Sequence, residues 1–594
     1  MKNLLLIVTS ILIFDCTLFS QVNTTKNDNI QKHIYYLASD SLKGRFPGTI
    51  GDKLAANYIR NKFKSYGLKL LANNGFQYFD VITDVKEGEK NSFTFDTFVG
   101  KLNEDFIPFS FSENKIVEAE VVFAGYGFDI NTDNLKWNDY KDIDVNGKWV
   151  MILRGDPEPD NTQSKFLDFE SERNKVITAK DKGAVGVIFI TGAEIEKKDE
   201  LVQLYFDKII SNSGLPVINI KRSIANKIFE YLKDNKNLTI DSLEKQINKT
   251  KQSINFKIPL KIKVSTDIIL NHAKTQNIVA MIEGNDKNLK KQYLIIGAHY
   301  DHIGMGGQGS GSRDPNNIAV HNGADDNASG VAAIIELARK LSENKNQLKR
   351  SIIFIAFGGE ELGTVGSKYF LKSQLIDINK IDAMFNFDMV GRLKEETKQL
   401  SVAGSGTSLE SDSILRKYGI DRTFELSLSP DGYGPSDYAV FYVEKIPVFF
   451  FTTGAHEDYH TQKDKYDKIN FIGENAIVDY AYDVIYDVDN TKDLTFKESG
   501  TKHESKGARY KATLGIMPDF AAGEVKGLKV GGVNKNGPAE KGGIKKGDII
   551  ISINGQTVTN IYDYMARLST LKQGQTVTVE VIRDNKKEVL LILL

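Results

Sequence analysis

Apolar residues fall into three textures along this chain. From about residue 27, "NDNIQKHIYYLASDSLKGRFPGTIGDKLAANYIRNKFKSYGLK" spaces them at helical intervals on either side of "KGRFPGTIGD". That pattern predicts two helices joined by a turn-rich loop. Between roughly 115 and 255 the runs shorten to "EAEVVFAGYGF", "GKWVMILRG" and "AVGVIFITG", with one amphipathic helix around "NKVITAKDKGA"; this segment reads as β-rich. From about 260 to 490, apolar runs such as "QYLIIGAH", "SIIFIAFGG", "DAMFNFDMVG" and "KIPVFFFTTG" alternate with helical stretches such as "SGVAAIIELARKLSE" and "NAIVDYAYDVIYDV". Continuous apolar strands between amphipathic helices predict an α/β layered domain with a largely buried sheet. The polar stretch "KESGTKHESKGA" predicts a linker, and 510 to 594 a compact β-rich unit with turns at "KNGPAEKGG", "KKGD" and "INGQ".

Length and composition narrow the classes. At 594 residues the chain is too long for one ordinary core, so two to four domains are expected, and 41% hydrophobic with 26% charged residues is a globular balance. A formal net charge of -1 without a long basic run leaves no field to hold nucleic acid or an anionic membrane. The start, "MKNLLLIVTSILIFDCTLFSQ", has Lys2, an apolar stretch from Leu4 to Phe14 and a more polar end. That stretch is short for a bilayer span and is placed like a signal-peptide core, so residues 1–20 predict export to a periplasm or out of the cell, with no transmembrane segment in the mature chain. Lipid anchoring at Cys16, the only cysteine, is the weaker alternative, because Asp15 stands where bacterial lipoprotein leaders place a small residue.

Candidate chemistry gathers between 272 and 460, where six of the eight histidines lie. "YLIIGAHYDHIG" delivers His299 at a strand end with Asp301 two residues on, and such an aspartate suits the far N–H of a metal-bound imidazole. In "NGADDNASGVAAIIELARKL", Asp325 and Asp326 precede a helix capped by Asn327 or Ser329. "FGGEELG" sets Glu360 and Glu361 side by side after a buried strand, where like charges repel. "NFDMVG" places Asp388 at a third strand end, and "HEDYHTQKD" brings His456, Tyr459 and His460 after a fourth. Open α/β sheets build sites at the carboxyl ends of their strands. Histidines and carboxylates without cysteine make a nitrogen and oxygen donor set suited to zinc, cobalt or manganese. Each piece alone reads as a cap or a surface turn; their joint occurrence argues for a site.

"GAHYDHIG", "GADDNASG", "FGGEELG", "NFDMVG" and "YHTQKD", in that order, resemble the successive motifs of the M28 family of co-catalytic zinc metallopeptidases. "YLASDSLKGRFPGTIGDKLAANYI" is similar to the entry segment of those enzymes, the inserted block resembles a protease-associated (PA) domain, and "LGIMPDF" through "GPAEKGGIKKGDIIISINGQTV" resembles a PDZ domain. The implied fold is a three-layer α/β/α zinc-exopeptidase domain, split as 27–112 and 258–492. A β-rich PA-like insertion at 113–257, a linker at 493–508 and a PDZ-like β domain at 509–594 complete it. The resemblance implies two Zn2+ ions, Co2+ or Mn2+ being alternatives: one held by His299 and Asp388, the other by Glu361 and His460, with Asp326 bridging. Spacing alone does not separate Asp326 from Asp325. Glu360 becomes the general base, Asp301 the acid behind the ligands, and Tyr459 a donor to the oxyanion or a packing residue. His302, His321 and His456 inherit no ligand role and read as loop or rim residues; Arg392 reads as an ion-pair partner or a substrate contact. The Gly-rich stretch from Ile303 to Asn322 reads as a cleft rim or a disordered loop.

The function implied is an exported exopeptidase that removes N-terminal residues from peptides. A metallocarboxypeptidase or dipeptidase of the same fold, and a catalytically inactive PA/PDZ binding protein, are the alternatives. Glutaminyl cyclisation, another chemistry on this fold, is thought to use one zinc. The PDZ-like tail predicts capture of a peptide or protein C-terminus by strand addition.

Overall fold

The computed structural model describes residues 24–499 except 160, 162, 209–210 and 233–236, and then 513–518, 526–533, 537–559, 563–564, 567–568, 571–572 and 574–594. The leader at 1–20 with Cys16, and residues 500–508 of the linker, lie outside the described residues. Contacts divide the chain into two units, Met1–Val81 with Ala273–Thr501, and Ile82–His272 with Lys502–Leu594.

The first unit is organised by a nine-stranded sheet. Its order runs Lys69–Leu70, Ile268–Ile282, Ser351–Phe357, Tyr293–His299, Ile381–Phe387, Val448–Thr452, Gln399–Ala403 and Glu425–Ser429, with Phe76–Glu87 also paired to Ile268–Ile282. The strands from Ser351–Phe357 to Val448–Thr452 are parallel to one another, so their carboxyl ends share an edge. Both faces of these strands are covered. Ile352, Phe354 and Ala356 point to a core shared with helices Thr24–Leu37, Gly330–Glu343 and Phe471–Asn490, while Ile353, Ile355 and Phe357 meet Phe370, Tyr438 and Phe441 from the opposite layer. Period-two alternation with two apolar faces is what a sheet between helix layers requires. The result is the three-layer α/β/α arrangement.

The entry segment forms helices Thr24–Leu37 and Ile50–Ser65 around a tight turn at Asp40–Arg45. Gly44 has φ +68, and a Cβ there would lie 2.3 Å from the carbonyl oxygen of Gly304, so the close approach of the two segments requires glycine. Arg45 then turns inward and is fully buried, donating to the carbonyl oxygens of Leu37, Tyr300, Asn322 and Gly323.

The second unit contains an eight-stranded sheet. Ser92–Phe95, Phe98–Val99, Phe106–Pro108 and Asn255–Ser265 join Ile116–Ala124, Trp149–Leu153, Gly186–Ile190 and Val217–Ile220. The sheet therefore draws in strands on both sides of the 113–257 block, because Asn255–Ser265 pairs antiparallel with Ile116–Ala124 and with Ser92–Phe95. The amphipathic helix expected near "NKVITAKDKGA" is Glu172–Asp181, and two further helices, Arg222–Phe229 and Ile240–Thr250, accompany it. The last is started by a capping box at Thr239 and Ser242 over a stripe of only Ile240, Leu243 and Ile247, too narrow to stand out in the sequence. The C-terminal segment closes its own core with Leu514, Val530, Ile550, Val577, Val579 and Ile592. Within this unit Arg567 grips Asp181 at the end of the Glu172–Asp181 helix, and Lys180 lies 3.7 Å from Asp563.

Candidate metal centre

Four strand ends and one turn assemble the site. His299 is the last residue of its strand, and Asp388 directly follows Ile381–Phe387. Glu360 and Glu361 follow Ser351–Phe357 after two glycines, in a turn that precedes helix Val365–Lys372 rather than inside it. His460 comes from the loop after Val448–Thr452. Asp325 and Asp326 sit in a one-turn π-type segment, Ala324–Ser329, ahead of helix Gly330–Glu343. Asn327 Oδ1 accepts the Gly330 N–H at 2.9 Å and so caps that helix. The peptide between Asp326 and Asn327 is cis.

Two donor groups meet at one carboxylate. His299 Nε2 is 3.3 Å from Asp326 Oδ1 and 3.4 Å from Asp388 Oδ1. His460 Nε2 is 3.1 Å from Asp326 Oδ2 and 3.2 Å from Glu361 Oε1, while His302 Nδ1 is 2.8 Å from the same Glu361 oxygen and 3.7 Å from Asp326 Oδ2. The sets His299, Asp326, Asp388 and His302, Asp326, Glu361, His460 each keep their candidate ligand atoms within 4.8 Å of one another. Asp326 is common to both. Asp326 Oδ2, although 3.1 Å from His460 Nε2, makes no well-directed hydrogen bond, so the shared carboxylate keeps lone pairs for an ion. A set of buried nitrogen and oxygen donors with one shared carboxylate fits divalent zinc.

The electrostatics follow from packing carboxylates beside imidazoles. Burial opposes ionisation of Asp326, but His302, His299 and His460 around it hold its carboxyl well below the usual range. Burial and the Asp326 charge likewise oppose Glu361, yet hydrogen bonds from His302 and His460 bring it down to about 2. Burial works against a proton on His460, but Asp326 and Glu361 lift the imidazole to about 10. His299 is raised well above its ordinary value against the same burial, through Asp388, Glu360 and Asp326. Glu360 behaves in the opposite way to its neighbour: burial, then crowding by Asp437, Glu361 and Asp388, pushes its carboxyl well up, and His299 offsets this only in part.

Several sequence expectations change here. Asp301 does not offer its carboxylate to His299; the His299 Nδ1 meets the Asp301 backbone carbonyl at 3.1 Å. The Asp301 carboxylate instead accepts the backbone N–H groups of Glu360 at 3.0 Å and Glu361 at 3.3 Å, and burial pushes it up to about 7. The turn between two acids leaves those N–H groups pointing inward, and a buried N–H must find an acceptor. His302 is not a rim residue: it is fully buried and inside the donor cluster. The chain has left regular strand geometry after His299, so no period told which way the residue three positions on would point. His321 is also buried, bonded to Ser312 and to the Ala319 carbonyl, and His456 Nε2 lies 3.3 Å from Asp325 Oδ2. The Gly-rich stretch is folded onto the ligand loop: the Gly311 carbonyl meets His460 Nδ1 at 3.0 Å, which directs Nε2 at the cluster, and Arg313 N–H donates to the His460 carbonyl. Tyr459 stacks on the His460 ring at 3.9 Å, and burial keeps its phenol protonated. Arg392 pairs with Asp464 and Asp458.

Comparison with known proteins places these residues in context. Residues 277–485 match the family model of peptidase family M28, residues 117–228 that of the PA domain, and residues 500–594 that of the PDZ domain. Aminopeptidase YwaD of Bacillus subtilis is 26% identical over 457 residues, which are 74% of this chain and 80% of the relative. A probable leucine aminopeptidase of Trichophyton verrucosum is 28% identical over 228 residues, 37% of this chain and about half (52%) of its own length. Among solved structures, an aminopeptidase from Aneurinibacillus sp. strain AM-1 is 22% identical, with 80% of this chain and 95% of the other covered at a TM-score of 0.47.

Proposed function

We propose that this chain, whose residues 277–485 match peptidase family M28, 117–228 the PA domain and 500–594 the PDZ domain, is an exported dizinc aminopeptidase that trims N-terminal residues from peptides. One observation carries the reading: Asp326 is shared by two donor groups, and Glu360, the acid beside Glu361, belongs to neither. His299, Asp388 and Asp326 would hold one ion, and Asp326, Glu361 and His460, with His302 beside them, the other. Bound zinc supplies Lewis-acid polarisation of the scissile carbonyl and lowers the pKa of water towards neutrality.

The chain's own groups then have defined tasks. Glu360 takes the proton of the attacking water at its carboxylate and returns it to the leaving amine nitrogen. Asp301 fixes where that carboxylate starts, since it grips the Glu360 and Glu361 backbone N–H groups. The Gly311 carbonyl orients His460, and the Tyr459 hydroxyl, kept protonated, donates to the oxygen that gains charge as the carbonyl is attacked. Export is supported by the leader-like start; among the described residues no helix is long and apolar enough to cross a membrane. The PDZ domain is read as a site for a peptide C-terminus.

The test is digestion of a mixed peptide pool by the purified mature chain. Each peptide carries a free or an acetylated N-terminus, and each run is made with and without a chelator. Chelator-sensitive trimming of free N-termini alone supports the aminopeptidase. Trimming from the other end replaces it with a carboxypeptidase, and no cleavage by a sample holding two zinc ions overturns the enzymatic reading.

A further inference from the structure

Asp464 lies four residues beyond His460 and is fully buried. Its Oδ2 accepts the backbone N–H of Asp325 at 2.9 Å and of Asp326 at 3.0 Å. Those two N–H groups need an acceptor from outside their own turn, because Asp326 has non-helical backbone angles, φ -102 and ψ 93. The other oxygen, Oδ1, accepts from Arg392 Nη2 at 3.0 Å. Arg392 follows Asp388 by four residues, and its Nη2 also lies 3.4 Å from Asp458 Oδ2, an oxygen that Lys468 Nζ approaches to 2.7 Å. The loop between Asp388 and Arg392 is itself laced to the Asp326 turn: Met389, Val390 and Gly391 N–H groups donate to Asn327 Oδ1, Ser329 Oγ and Asp325 Oδ1.

We propose that Asp464 and Arg392 are positioning residues that tie the three loops bearing Asp326, Asp388 and His460 into one frame. The frame sets the shared carboxylate before any ion arrives. A metal site of this kind depends on donors already aimed inward, and partners that orient ligands typically contribute about 10- to 100-fold to metal affinity. The Asp464 carboxylate touches the backbone of the shared ligand and belongs to the loop of a second ligand. Arg392 keeps that carboxylate turned towards the Asp326 turn and, coming from the loop of the third ligand, closes the frame. This inference rests on the dizinc reading above.

The experiment measures zinc affinity of the full chain by competition with a chromophoric chelator, well below the melting temperature, alongside melting of the metal-free protein. Asp464→Asn and Arg392→Met are each expected to weaken zinc binding by about 10- to 100-fold while the metal-free melting temperature moves little, and Arg392→Lys to recover part of the loss. Arg416→Met, which breaks an exposed pair with Asp412, serves as the control with unchanged affinity. Should Asp464→Asn not fold, the two Arg392 variants decide. Unchanged zinc affinity in folded variants, whether or not melting falls, reduces Asp464 and Arg392 to structural residues and overturns the proposal while the dizinc reading stands. Failure of the unsubstituted chain to bind zinc overturns both.

Discussion

Glu360 and Glu361 are chemically identical neighbours with opposite surroundings. Glu361 lies against His302 and His460, which keep it ionised in spite of burial and the Asp326 charge, whereas Glu360 faces burial and three further acids, which resist its charge. Glu360→Gln is therefore expected to keep its metal and lose turnover by roughly 100- to 10,000-fold, read by metal analysis and peptide assay on one sample. Asp326→Ala removes the ligand common to both groups and is expected to lose zinc outright. His302→Asn tests the residue that sequence reasoning left on the rim. Its imidazole is 2.8 Å from Glu361, and the substitution is expected to lower zinc affinity about tenfold or more; unchanged affinity would make His302 a packing residue. At this scale the candidate donors and their order were legible in the motifs, because His299, Glu361, Asp388 and His460 come at or after apolar strands and Asp326 comes just before a helix. His302 was not, and neither was the true use of Asp301, since both depend on how irregular chain folds after a strand.

Strands and turns set where those side chains stand. The parallel strands were legible as continuous apolar runs, and their shared carboxyl edge follows from parallel pairing. The entry turn shows how an element far away in sequence reaches the site. Gly44→Ala would put a Cβ 2.3 Å from the Gly304 carbonyl oxygen at a φ of +68, and is expected to destabilise the fold by about 1–3 kcal/mol, measured by denaturant unfolding. In the second unit, helix Glu172–Asp181 buries Lys175, which donates to the Leu153 carbonyl and lies over the Phe128 ring at 4.6 Å. Burial pushes this ammonium down to about 7, against about 10.4 for an unfolded lysine. The unfolded chain thus binds the extra proton between those values, so Lys175 makes stability rise with pH from about 7 to about 10 and adds no slope below. Melting curves of Lys175→Met across that range are expected to lose this part of the slope; an unaltered slope would show that Lys175 stays charged in the fold.

Each unit closes its own hydrophobic cores, and among the described residues the donor cluster lies in the Met1–Val81 and Ala273–Thr501 unit. A ligand bound only by the folded state stabilises what binds it. Calorimetry is expected to resolve the units, with a chelator lowering the transition of the site-bearing unit and leaving the other in place; a common shift would mean that they unfold as one. By itself the sequence determined the layered α/β class, the β-rich character of the inserted and C-terminal segments, and the types of candidate donor, because period, turn residues and donor chemistry are local properties of the chain. Tertiary structure alone decided that His302 enters the cluster, that Asp301 grips a backbone, that the Gly-rich loop aims His460, and that Arg45, Asp464 and Arg392 brace the ligand loops. Those contacts join residues far apart in the chain, across irregular segments that carry no period. Their partners are set by which buried N–H and carbonyl groups the folded loops leave unsatisfied.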